Sequence, residues 1–288
     1  MVRLSLDASY EDAQRREAIF GGEFALFSAT AELRALGAFA RTLIAERFGP
    51  RDPRHAQHEM TVEEFVAIVG PLKSTFTNHP RTKELVRDFL KASGHDLDRT
   101  YFDVPRLRVV SAREYLTAGV GYTYKAHRDT WYAGPQSQVN WWAPLYDLEP
   151  SQSLVFYPGY FDRAIENSSE AFDYEDWKQN GRKAAATQIA ADTRKHPLPL
   201  STLDERDELR IVMRADQAIA FSAAQLHATA PNTSEATRFS IDFRTVNLDD
   251  VQSGRQAKNI DSRSTGTTLG DFLRAADFAP IAQQPVEA

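Results

Sequence analysis

The sequence contains no cysteine. That absence excludes disulfides, thiolate nucleophiles and every cysteine-ligated metal site, so any bound ion must be held by His, Asp or Glu. It also fits a cytoplasmic protein. No apolar run reaches the roughly 20 residues of a membrane span, and the start, Met1 to Asp7, lacks the apolar core of a signal peptide. Basic residues are in deficit, with 34 Lys+Arg against 40 Asp+Glu, a net charge of −6 and a pI near 5.7. This balance argues against nucleic acid as a partner. Internal repeats and low-complexity tracts are missing as well, and nothing indicates an oligomeric state. What is present is a chain of 288 residues, 42% hydrophobic and 11% aromatic, long enough to bury a sizeable core.

The hydrophobic period divides the chain. Residues 1–104 read as a mostly helical region. Thr30 precedes Leu33, Leu36, Phe39, Leu43, Ile44 and Phe48 at helical spacing, and Gly49-Pro50 ends that run. Thr61 and Glu64 form a capping-box pattern, opening a short helix expected to stop at Gly70-Pro71. A third helix is predicted from about Arg81 to Ala92. From 105 to 250 the pattern becomes that of strands: Leu107 to Val110, Tyr122 to His127, Gln138 to Tyr146, Ser153 to Tyr157, Leu209 to Met213, Ala218 to Ser222 and Arg238 to Val246. Short strands without alternating helices predict an antiparallel sandwich or barrel with flanking helices. A polar, helix-prone insertion at about 162–207 carries Phe172, Tyr174 and Trp177 and is expected to act as a lid. The tail, 251–288, is expected to hold one short helix near Leu269 to Ala276 and a frayed end, the three parts forming one integrated domain.

Seven histidines are present. His55 and His58 lie in a charged segment without a carboxylate pattern, and His79, His95 and His196 read as solvated loop residues. His127 differs, because His127-Arg128-Asp129 ends a strand candidate, and period-two alternation would send imidazole and carboxylate to one face. His227, following the apolar strand Ala218 to Ser222, is the natural third ligand. Two neutral imidazoles and one carboxylate leave three metal positions open, the facial arrangement of non-haem Fe(II) oxygenases. Eleven residues beyond His227, Arg238-Phe239-Ser240 opens a strand on which Arg238, Ser240, Asp242 and Arg244 share a face. An arginine fork can take a carboxylate bidentately and a serine hydroxyl can add a hydrogen bond. An internal salt bridge with Asp242 is the plainer expectation for Arg244.

These residues resemble the Fe(II)/2-oxoglutarate-dependent dioxygenases, in the phytanoyl-CoA dioxygenase-like branch. The resemblance rests on His127-Arg128-Asp129, on His227, on Arg238-x-Ser240, and on the tracts Val139 to Leu145 and Ser153 to Pro158. It implies a mainly β fold with flanking helices (α+β), a double-stranded β-helix or cupin-like jelly roll with the N-terminal helices packed on one sheet. It implies Fe(II) on His127, Asp129 and His227, the distal carboxylate of 2-oxoglutarate on Arg238 and Ser240, and O2 as the second cosubstrate. Similar enzymes decarboxylate the keto acid to succinate while oxidising a substrate. Asp129 stands where halogenases of the family carry a small residue, so hydroxylation or another oxidative outcome is favoured over halogenation; desaturation, ring closure and epimerisation use the same ligands and are not separated from it. The turn Ala215-Asp216-Gln217 departs from relatives with a glycine before the aspartate.

By strand parity Lys125, Gln138 and Asn140 are candidates for the cosubstrate or substrate pocket, and Trp131 and Tyr132 for its wall. Of Trp141 and Trp142, alternation sends one ring to each side of the sheet. The expected substrate is a small molecule, amino-acid-like or a secondary metabolite, free or carrier-bound. A cupin-type metalloenzyme without 2-oxoglutarate, and a catalytically silent β scaffold, are the competing readings.

Overall fold

The computed structural model describes residues 2–7, 10–181, 188–189 and 191–281. In chain order the elements are β1 (Leu4–Leu6), α1 (Asp12–Phe20), β2 (Phe24–Phe27), α2 (Ala31–Phe48), α3 (Val62–Asn78), α4 (Pro80–Ala92), β3 (Thr100–Phe102), β4 (Arg106–Val110), β5 (Val139–Pro144), β6 (Leu154–Phe156), β7 (Leu209–Arg210), β8 (Ala218–Ser222), β9 (His227–Thr229), β10 (Arg238–Asn247) and β11 (Leu273–Arg274). Eight strands form one sheet in the order β1-β2-β8-β5-β10-β3-β11, with β4 also on β10, and β7-β6-β9 form a second. All pairs but β1–β2 are antiparallel. The result is the α+β jelly roll expected of the sequence.

Alternation along the long strands sorts the molecule into layers. Phe239, Ile241 and Phe243 of β10, with Trp141 and Ala143 of β5, pack against Leu36, Ile44, Phe65 and Phe89 of the helices. Trp141 stacks on Phe243 with ring centroids 5.9 Å apart. The opposite face carries Trp142, Ile219 and Phe221, which meet Leu154 and Phe156 of the small sheet. Arg238, Ser240, Asp242 and Arg244 share that second face by the same parity. The large sheet is therefore apolar toward the helices and mixed toward the small sheet, which puts charged side chains in the interior.

The helices begin where their caps predict. Thr30 Oγ1 accepts from Leu33 N, and Thr61 and Glu64 complete the capping box of α3. The expected stop at Gly70-Pro71 does not occur, because α3 continues to Asn78 with Pro71 inside it. A proline in a helix interior costs about 3 kcal/mol. Full burial of Leu72 and Phe76 offsets it, at roughly 1.5–3 kcal/mol each. Tyr122 to His127 is not a strand. A 3-10 turn, Gly119–Gly121, precedes it, and it meets β9 only through Thr229 N to Tyr124 O and the paired bonds between His127 and His227. A three-residue partner is too short to enforce regular alternation on six residues.

The insertion is mostly irregular where described. It holds a 3-10 turn at Ser169–Ala171 and one helical turn, Tyr174–Asp176, running into a π turn at Trp177–Gly181. Part of its expected helical content lies outside the described residues. The tail helix expected at 269–276 is instead a 3-10 turn, Leu269–Asp271, followed by β11 on β3, which lets Phe272 enter the core. The expected frayed end beyond residue 281 also lies outside the described residues.

Neither His95 nor His196 is solvated. His95 sits between Arg15 and Asp12 with its Nδ1–H on Leu90 O at 3.1 Å. Asp216, in the turn without glycine, adopts the left-handed region itself (φ 62°) and takes both guanidinium arms of Arg41, at 2.8 and 3.1 Å. Gly37 of α2 lets that carboxylate approach, since a Cβ there would collide with Asp216 Oδ1.

Two outcomes are expected. Gly37→Ala should destabilise the protein by about 1–3 kcal/mol, seen as a lower denaturant midpoint at unchanged m-value. Burial, with Arg15 adding to it, holds His95 well below the ordinary imidazole pKa. The unfolded chain therefore takes up that proton first, at about pH 6.5, and stability must fall as pH drops from 7 toward 5. Melting curves of His95→Asn should show a smaller loss over that interval than the wild type.

Candidate metal centre

His127, Asp129 and His227 converge at the edge of the small sheet. Asp129 Oδ1 lies 3.3 Å from His127 Nε2 and 3.8 Å from His227 Nε2, and the three ligand atoms fall within 4.8 Å of one another. Regular strand parity does not bring them together. His127 closes a single bridge opposite His227, and Asp129 begins a 3-10 turn, Asp129–Tyr132, that curls its carboxylate back. Each ring is held by the nitrogen facing away from the site. His127 Nδ1–H donates to Lys125 O at 2.8 Å, and His227 Nδ1–H to Gln225 O at 2.9 Å. A carbonyl can only accept, so both Nε2 atoms point at Asp129 with free lone pairs, the state a metal requires.

Asp129 is also prepared. Its Oδ2 accepts from Arg244 Nε and Gln138 Nε2, both at 3.2 Å, leaving Oδ1 toward the histidines. Burial alone would push its carboxyl up, but Arg244 and the two imidazoles hold it well below the usual carboxylate range. Burial, with His127 adding to it, lowers His227 to about 4, so it is neutral at physiological pH. The donor set fits a hard to borderline divalent ion with open positions, such as Fe(II). Arg244 also donates to Asp103 at 3.2 Å, making it the internal ion-pair member that sequence reasoning preferred, though chiefly with Asp129 and Asp103; Asp242 stands at 3.8 Å.

Arg238 stands apart. It is buried, its Nη1 donates to Gln152 O at 3.2 Å, its guanidinium lies 5.4 Å above the Trp142 ring, and its Nε has no partner. The neighbouring Asp242 is taken bidentately by Arg108, at 2.9 and 2.8 Å. Among the described residues no carboxylate pairs with Arg238. An isolated buried cation with an orphaned donor is costly, and the anion that relieves it would sit in the cavity of about 360 Å³ that Arg238 and the three ligands line. These residues fit a carboxylate-bearing cosubstrate.

Of the pocket candidates, Gln138, Asn140, Tyr132 and Arg244 line the cavity. Ser240 does not line it: fully buried, it accepts from Trp142 Nε1 at 3.1 Å. Lys125 is exposed and off the cavity, because the irregular backbone breaks the parity assumed for it. Trp131 is core, its Nε1 donating to Asp261 at 2.7 Å. Sequence reasoning missed Arg108, Tyr124, Arg194, His196 and Lys73. Lys73 lies beyond Pro71, where the helix was expected to have ended. His196 stacks on Tyr122 at 4.0 Å and takes the Tyr132 hydroxyl at 3.0 Å, for which the sequence carries no local signal.

A jelly roll bearing this His-Asp-His face beside an unmatched arginine defines a non-haem iron oxygenase that uses 2-oxoglutarate. Residues 23–240, three quarters of the chain, match phytanoyl-CoA dioxygenase (PhyH), and the protein belongs to that family. No curated protein matches the chain. Among solved structures it is similar to EvdO2 from Micromonospora carbonacea var. aurantiaca complexed with 2-oxoglutarate, at 12% identity and a TM-score of 0.47 over 84% of this chain and 93% of that one. It is also similar to SnoK, a non-haem alpha-ketoglutarate-dependent carbocyclase from nogalamycin biosynthesis, at 14% identity and a TM-score of 0.46 over 90% and 94%. Membrane-spanning length and apolarity are found in none of the described helices.

Removing the guanidinium that orients Asp129 should loosen the ion. Arg244→Met is expected to weaken Fe(II) binding roughly 10- to 100-fold, measured anaerobically by competition with a chelator. Undiminished affinity would show that Asp129 needs no such support.

Proposed function

We propose that the protein hydroxylates an unactivated C–H bond of a small molecule, coupled to conversion of 2-oxoglutarate and O2 to succinate and CO2. The unpaired Arg238 beside the His-Asp-His face carries this reading, since a buried guanidinium with an orphaned Nε suits the distal carboxylate of a keto acid held at the metal face. In this reading His127, Asp129 and His227 hold Fe(II), which when bound supplies the site of O2 activation. Arg238 takes the distal carboxylate of the keto acid in a charge-assisted pair. Ser240 acts one step back, fixing the Trp142 ring under that guanidinium. Gln138, donating to both Asp129 and Asn140 Oδ1 (2.8 Å), keeps the carboxylate ligand from rotating. Tyr132, packed on His127 with centroids 5.3 Å apart, shields the open side from water. Asp129 fills the position a halide would need, which favours oxygen insertion.

Anaerobic titration of the protein with Fe(II) and 2-oxoglutarate should produce a visible charge-transfer band that requires both components and is lost in His127→Ala. Arg238→Met should raise the KM for 2-oxoglutarate on the order of a hundredfold with Fe(II) affinity unchanged. A band insensitive to that substitution would remove Arg238 from the cosubstrate site. Once a substrate is in hand, a product lacking one added oxygen atom would replace hydroxylation with another oxidative outcome.

A further inference from the structure

Six basic side chains line the cavity, and four of them are matched. Arg106 pairs with Asp103 at 2.5 Å, Arg108 with Asp242, Arg244 with Asp129 and Asp103, and Arg194 with Asp192 at 2.5 Å. Arg238 and Lys73 are left. Lys73 enters from α3, and its Nζ donates to Val120 O at 2.6 Å. An ammonium has three donors, and among the described residues no carboxylate takes either of the others. Burial, with Arg108 adding to it, depresses the Lys73 ammonium to about 7. A nearby anion would reverse that shift.

The surroundings give this cation a direction. Arg194 reaches the same 3-10 turn, its Nη2 donating to Gly119 O at 3.4 Å while Asp192 accepts from Gly119 N at 3.0 Å. The Arg194 guanidinium lies over two rings, 5.7 Å from Tyr122 and 5.5 Å from Trp177. A cationic corner is thus joined to flat apolar walls. In the oxygenase reading the distal carboxylate of 2-oxoglutarate pairs with Arg238, and Lys73 is then the basic group lining the cavity that no carboxylate among the described residues pairs with.

We propose that Lys73 is the docking point for an anionic oxygen group of the primary substrate, which is a small acid with an aromatic or flat apolar body. This inference rests on the oxygenase reading, because it assigns Arg238 to the cosubstrate. The size agrees. A cavity of about 360 Å³ lies near the lower end of the roughly 300–1,000 Å³ of ligand pockets, and 2-oxoglutarate must share it.

The test uses the protein loaded anaerobically with Fe(II) and 2-oxoglutarate, with 3-phenylpropionate, its amide and 2-phenylethyl phosphate as probes. Binding is read from tryptophan fluorescence and from the shift of the charge-transfer band. The acid should bind at least about tenfold tighter than the amide, a difference of about 1.4 kcal/mol. Lys73→Met should bring that ratio close to one, Lys73→Arg should keep it, and the Kd of 2-oxoglutarate should not move in either. Tighter binding of the phosphate than of the acid supports the same site and assigns phosphate as its anion. Equal binding of acid and amide by the wild-type protein, or no binding of any probe, overturns the proposal without recourse to a variant. If Lys73→Met weakens 2-oxoglutarate instead, Lys73 belongs to the cosubstrate site, and the substrate assignment falls while the oxygenase reading stands. Failure of 2-oxoglutarate to bind the wild type removes both.

Discussion

Charge brought into a low-dielectric interior has to be matched, and most of the site's geometry follows from that requirement. Strand β10 carries Arg238, Asp242 and Arg244 on the face that looks away from the helices. Asp242 goes to Arg108, and Arg244 spans Asp103 and Asp129. Each pairing fixes two side chains at once, because a buried guanidinium with a carboxylate on either side has little rotational freedom left. Asp129 is aimed at the histidines by the same bonds that pair Arg244. Only after these matches are made do Arg238 and Lys73 stand out as cavity-lining basic groups with no carboxylate partner among the described residues.

The same strand explains how much could be read in advance. Alternation of two in β5 and β10 placed Trp141 and the phenylalanines toward the helices and the charged residues toward the site, and regular ladders over five and six residue pairs keep that parity intact. His127, Asp129 and His227 were legible as residue types at suggestive spacing. The reason they meet was not, because it depends on a strand giving way to a 3-10 turn. Lys125 was misplaced by that irregularity. Lys73 was hidden by Pro71, whose local penalty is outweighed by burial of Leu72 and Phe76, a tertiary effect no local rule contains. Partners such as Asp103 for Arg244 and Tyr122 for His196 lie over seventy residues away in sequence, where nothing but the fold can join them.

Function is therefore distributed over layers with different structural duties. The large sheet supplies Arg238, Arg244 and Asn140, the small sheet His227, and the junction between them His127 and Asp129. A helix of the outer layer brings Lys73 to the cavity, and the later part of the insertion brings Arg194.

The bridge between His127 and His227 has a mechanical side. These two residues exchange both backbone hydrogen bonds, at 2.9 Å each, and with the bond from Thr229 N to Tyr124 O they join the segment after Gly121 to β9 before the chain turns away. An ion gripped by both rings is consequently a rivet across a two-residue seam. It would add a link across the margin of the three-stranded sheet, where the bridge is a single residue pair. Binding of an ion there would therefore strengthen the pairing of these two segments as well as supply the site's chemistry.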